Sequence, residues 1–180
     1  LFHEMGHALH ALLSDVTYPS VCGTSVLTDW VELPSQLYEH WFEQPEMLRR
    51  FARHYRTGEP IPEALLDKLM AARNFDRGCQ TLEYIASALV DLDLHSLRSA
   101  EGLDVNAFER ETLKRIGMPA EIVMRHRPPH FAHVFSGGGY ASAYYSYMWS
   151  EVLDADAFAA FEETGDIFNP EVARKLRRNV

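Results

Sequence analysis

Apolar residues recur at the spacing of a helix along most of the chain. Leu1, Met5, Ala8, Leu9 and Leu12 predict a first helix that runs to about Leu13, buries this stripe and turns His3 and His7 towards a cleft. Gly6 lowers the propensity of that helix by about 1 kcal/mol relative to Ala, so its presence predicts the close approach of another backbone. Residues 16–26, rich in Val, Thr, Tyr, Pro and Gly, read as an extended loop or short strand. A second helix opens around Thr28, with Pro34 near its first turn, where the missing N–H does no harm. The pattern stays helical from 37 to about 55, broken near Pro45, with Trp41, Phe42, Leu48, Phe51 and Tyr55 as candidate core. After the loop Gly58-Glu59-Pro60-Ile61-Pro62 come helices over 63–73, over about 76–95 with Leu82, Ile85, Ala86, Leu89 and Val90 inward, and over 105–116, stopped by Gly117 and Pro119. A helix from about Gly139 to about Phe158 and another over 170–180 complete a fold expected to be mainly α.

Composition narrows what such a fold can do. With 180 residues, 47% of them hydrophobic, the chain can bury one sizeable core. No stretch approaches the length of a membrane-spanning helix, so no membrane partner is expected. The net charge of -9 argues against a nucleic-acid partner, because phosphate recognition needs clustered basic groups. The run from Lys175 to Arg178 reads as a solvated helix face. Cys22 and Cys79 lack the pairing of a disulfide scaffold or thiolate site and read as free thiols of a reducing compartment, which makes a cytoplasmic protein the expectation. Both ends read as cut: the first helix begins at residue 1 without a cap, and the last has no closing glycine. One internal piece of a larger protein is the expectation.

The candidate chemistry starts at the first helix. His3-Glu4-Met5-Gly6-His7 has the spacing His-Glu-x-x-His, which puts two imidazoles on one helix face where they can share a metal ion. Glu4, about 100° further round, could take a proton from a water in the metal's open position. A five-residue match also occurs by chance on ordinary helices, and a third ligand would reject that alternative. Glu32, 25 residues beyond His7, is a candidate, although a first-turn glutamate also serves a helix dipole. His40, His54 and His95 read as capping or surface residues. Ser136-Gly137-Gly138-Gly139 forms a flexible loop whose backbone can approach a ligand, and it lacks the Lys and Ser or Thr of a phosphate cradle. Tyr140, Tyr144 and Tyr147 would share one face of the helix expected from Gly139, as core or as the polar wall of a cleft.

Four blocks, FHEMGHALH, TDWVELPSQLYEHW, NFDRGCQTLEYIASALVDLDLH and HFAHVFSGGGYASAYYSYMWSEVLDADAF, taken together resemble the catalytic region of the thimet oligopeptidase family of zinc peptidases, over essentially the whole chain. Glu39-His40-Trp41 resembles its peptidyl-dipeptidase branch more than its endopeptidase branch. The resemblance implies a longer, mostly helical protein of zincin-like character, of which residues 1–180 form one piece of the catalytic domain. It implies that His3, His7 and Glu32 ligate Zn2+ and that Glu4 is the general base. It also implies that His133, Tyr140 and Tyr147 bind substrate and stabilise the oxyanion, and that Tyr144, His130, Gly138 and Gly139 contact substrate. The interval of seven residues from His133 to Tyr140 is longer than in some relatives, which leaves open whether His133 or His130 points at the substrate.

The function this implies is hydrolysis of oligopeptides with release of C-terminal dipeptides, by an enzyme that is a monomer when full length. The alternatives are an oligoendopeptidase of the same family, or a non-catalytic fragment that binds zinc or peptide without turnover.

Overall fold

Gly6 sets the first packing contact. The computed structural model describes residues 1–137 and 139–180, and in it α1 (Phe2–Leu12) crosses a later helix, α3 (Leu33–Phe42), so closely that a Cβ on Gly6 would lie 2.5 Å from both Pro34 O and Ser35 Cα. The close backbone approach expected at Gly6 is thus present, and it decides which side of α1 faces inward. Leu1, Met5 and Leu12, expected to be buried, are 93%, 47% and 78% exposed. Helical spacing marks an apolar stripe, but α3 has seated itself on the side that carries no side chain.

Between these helices the chain is irregular. Residues 16–26 form no strand but a single 3-10 turn at Pro19–Val21. Gly23, at a φ of +55°, closes against Ala11 and donates its N–H to Ser14 Oγ. The helix expected from Thr28 is two, α2 (Thr28–Val31) and then α3, with Glu32 at the joint as the C-cap of one and N-cap of the other. α4 (Pro45–Phe51) follows the break at Pro45, and α5 (Glu63–Ala72) anchors by the buried Leu66. Among the described residues the only ladder-type pairing is an isolated antiparallel bridge of Arg53 with Pro60. Phe42, Phe51 and Tyr55, read as core, are 57%, 62% and 82% exposed. α3 turns Leu33 and Leu37 inward, and Phe42 falls off that face.

The chain forms two compact units. The first holds residues 1–75 and 148–180. Its core joins Leu37 to Phe158 and Phe161 of α9 (Ser146–Glu162), with Trp41, Ile167, and Val172 and Leu176 of α10 (Pro170–Asn179) packed around them. The Trp41 ring meets Phe158 and Phe161 edge-on, both at 4.9 Å, and donates its Nε1–H to Ile167 O. His40, read as a capping or surface residue, is partly buried: it stacks on Phe158 and reaches the buried Asp154 at 2.7 Å. Aromatic stacking and a carboxylate partner make it part of the scaffold.

The second unit covers residues 76–147. α6 (Arg77–His95) packs on α7 (Val105–Arg115), which Asp104 caps by accepting the N–H groups of Asn106 and Ala107 and which stops at Gly117, φ +78°. Arg127 donates Nε–H to the buried Glu109 carboxylate and Nη2–H to Asn106, fixing the proline-rich segment before the short helix α8 (Ala132–Phe135). Val90, Met124, Phe131, Val134 and Tyr144 form the core. The helix expected to start near Gly139 does not: residues 140–145 are turns, Ser142 sits at a φ of +59°, and α9 begins only at Ser146. Asp91 Oδ1 and Oδ2 accept the N–H groups of Ser142 and Tyr144, each at 3.0 Å, and so divert the donors that a helix would have used. Among the described residues no helix is long and apolar enough to cross a membrane, and Cys22 and Cys79 are free and exposed.

Candidate functional site

Spacing on α1 and the α2–α3 joint together assemble three ligand-type side chains in the first unit. The His3 and His7 rings lie 5.0 Å apart at 84°. Glu32, 2% exposed, brings its Oε2 to 3.3 Å from His3 Nε2 and 3.2 Å from His7 Nε2. The three ligand atoms all lie within 4.8 Å of one another. The buried Ser35 hydroxyl, 2.9 Å from both Oε2 and the carbonyl of Glu32, holds the carboxylate in place. On the outer side, His3 Nδ1 lies 2.6 Å from Glu39 Oε1. A carboxylate in that place accepts from Nδ1–H, and in the neutral ring Nε2, turned to Glu32, then carries the lone pair that a metal would take.

That arrangement fits a zinc ion. Donors about 2.0 to 2.1 Å from a tetrahedral centre stand about 3.3 Å apart, which matches the separations found between Glu32 and the two histidines. Two imidazoles and one carboxylate are a donor set that suits zinc and leaves a fourth position open. Glu4, next to His3 on α1, is exposed.

In the second unit the aromatic residues cluster. The His133 ring lies 6.1 Å from Tyr140, 5.8 Å from Tyr144 and 6.2 Å from Tyr147. Tyr140 and Tyr147 stack at 5.4 Å and 13°. Tyr144 is 6% exposed, edge-on to Phe131 and stacked on Tyr84. Burial pushes its phenol above the usual tyrosine range, with Arg125 opposing the shift. His130 lies exposed at the end of a 3-10 turn, outside this cluster of rings, and Gly139 lies exposed in a turn. Gly138 lies outside the described residues.

Glu39 entered the sequence reading only through the resemblance of Glu39-His40-Trp41, with no role beside His3, and Asp91 and His126 were not singled out. Glu39 carried a signal, since it follows Glu32 by seven residues on the same helical row. Asp91 carried another, as a charge among the inward positions of α6. His126 carried none: it lies in an irregular segment, its ring 5.2 Å from Phe131 and 6.1 Å from His133. Burial, then the charges of Arg125 and His133, lower its pKa, with Glu83 opposing.

The family described as Peptidase family M3 matches residues 1–180. The chain is 41% identical over 170 residues to dipeptidyl carboxypeptidase of Escherichia coli K12, covering 93% of this chain and 25% of that protein. It is 42% identical over 182 residues to oligopeptidase A of the same organism, covering 100% and 26%. To oligopeptidase A of Haemophilus influenzae it is 41% identical over 175 residues, covering 94% and 25%. The chain thus spans about a quarter of the length of the curated relatives it matches. With the match running over every residue, the chain belongs to peptidase family M3.

Proposed function

We propose that the full-length protein is a zinc-dependent peptidase of oligopeptides, in which His3, His7 and Glu32 hold the metal. The observation that carries this reading is the convergence of the three ligand atoms, Glu32 Oε2 standing 3.3 and 3.2 Å from His3 Nε2 and His7 Nε2, with Glu39 beside His3 Nδ1. Bound there, zinc would polarise the scissile carbonyl and make water acidic enough to attack it at neutral pH. Glu4 accepts the proton of the attacking water and passes it to the leaving amine, so that one carboxylate serves as base and then as acid. His133 and Tyr147 donate to the oxygen that becomes negative at the tetrahedral stage, and Tyr140, stacked on Tyr147, binds the substrate beside them. His130 and the backbone at Gly138 and Gly139 supply further substrate contacts. Tyr144, with its ring buried, meets the substrate through its edge or supports the neighbouring rings. The protein acts as a monomer in the cytoplasm, in keeping with two exposed free thiols.

Release of C-terminal dipeptides is the specificity proposed, from Glu39-His40-Trp41 and the similarity to dipeptidyl carboxypeptidase. The equal similarity to oligopeptidase A favours a second reading, internal cleavage. Mass spectrometry of an N-terminally blocked peptide incubated with the full-length protein decides between them. Successive loss of C-terminal dipeptides supports the first, internal cuts alone support the second, and metal binding without cleavage refutes both.

A further inference from the structure

Asp91 is 1% exposed, on the inward side of α6 beside Ala86, Ser87 and Val90. A carboxylate so placed persists only if its oxygens are matched by donors. They are: Oδ1 takes the Ser142 N–H and Oδ2 the Tyr144 N–H, both at 3.0 Å, and His95 Nδ1, one turn along α6, lies 2.7 Å from Oδ1. From the other side the Tyr84 hydroxyl donates to the Tyr144 carbonyl. Both amides belong to the turn that separates Tyr140 from α9, and Ser142 is held there in the left-handed region that a non-glycine residue rarely adopts.

The consequence is the placement of two phenols. In an unbroken helix, residues seven apart are displaced by about 10 Å along the axis. The Tyr140 and Tyr147 rings instead stack with centroids 5.4 Å apart. The break at Ser142 folds the first ring back onto the second, and Asp91 makes that break.

We propose that Asp91 is a positioning residue for peptide hydrolysis: its buried carboxylate grips the backbone of Ser142 and Tyr144 and thereby sets where Tyr140 and Tyr147 present their hydroxyls. This rests on the roles proposed above for His133, Tyr140 and Tyr147. It assigns to a residue that never touches substrate the geometry on which those donors depend.

The test uses the zinc-loaded full-length enzyme. Asp91→Asn keeps the volume and one acceptor but turns an NH2 group towards a backbone N–H. kcat is expected to fall about 10- to 100-fold, with KM changed less than about threefold and zinc content unchanged. In a Tyr147→Phe background the same substitution is expected to lower kcat by a clearly smaller factor than in the unmodified enzyme, because one of the two hydroxyls being positioned is gone. A single variant within about twofold of wild type, or losses that multiply fully in the double variant, overturns the proposal. An unimpaired Tyr147→Phe enzyme would instead refute the donor role. Hydrogen exchange then judges Asp91 independently: the Ser142 and Tyr144 amides are expected to be protected in the unmodified enzyme and to lose protection in Asp91→Asn. Unprotected amides in the unmodified enzyme overturn the proposal, whether or not the variant folds.

Discussion

Replacing Gly6 by Ala tests the contact on which the histidines depend. The added methyl would stand 2.5 Å from Pro34 O and Ser35 Cα, and 2.8 Å from Pro34 C. All three are backbone atoms, so no side chain can swing away to make room. Ordinary contact begins at 3.4 Å, so α1 and α3 must part by about 0.9 Å. Glu32 precedes α3 and the histidines ride on α1, so their separations of 3.2 and 3.3 Å would open to about 4 Å, too wide for the tetrahedral angles of one zinc at about 2.0 to 2.2 Å from each. Overpacking of this kind costs about 1–3 kcal/mol, and the gain in helix propensity of about 1 kcal/mol offsets only part. Zinc affinity of the full-length protein, measured by competition with a chromophoric chelator, is expected to fall at least about 10-fold, since moving ligands costs no less than losing an outer-shell partner. The unfolding midpoint should fall with it. Unchanged affinity together with an unchanged or raised midpoint would refute the packing argument, because propensity alone would then govern the site.

Other substitutions separate binding from chemistry. Glu4→Gln is expected to retain a full complement of zinc by elemental analysis while kcat falls about 100- to 10,000-fold; near-native turnover would refute the general-base role. Glu39→Gln leaves His3 Nδ1 with a weaker acceptor and should lower zinc affinity about 10- to 100-fold in the same chelator competition, whereas an unaltered affinity would show that His3 needs no partner to present Nε2. His126 has its pKa lowered from 6.5 chiefly by burial, so the native state favours the neutral ring. The stability it contributes is complete above pH 6.5 and is lost as the pH falls through the lower native value. His126→Gln should therefore flatten the decline of the melting temperature on the acid side of 6.5; an identical decline in both proteins would refute the assignment.

Residues that act through local geometry were readable from the chain, and those that act through tertiary partners were not. His3 and His7 share a face because any helix puts residues four apart together. Glu32 had two readings on the residues alone and became a ligand only through the family resemblance; the crossing at Gly6 brings it beside the histidines, a contact whose only trace in the sequence was a glycine inside a helix. The tyrosines show the opposite case. Their spacing suits a helix, but two hydrogen bonds to the buried Asp91 outweigh local preference, and a residue about fifty positions away decides their conformation. Leu1, Met5, Phe42 and Tyr55 were misread because periodicity reports an apolar face without reporting what, if anything, covers it.

A crystal structure of the full-length protein with anomalous data at the zinc edge would show directly whether His3, His7 and Glu32 hold one metal ion. A single peak is expected about 2.0 to 2.2 Å from His3 Nε2, His7 Nε2 and Glu32 Oε2, with His3 Nδ1 still bound to Glu39. A zinc peak at other residues, or ligation of His3 through Nδ1, would contradict it.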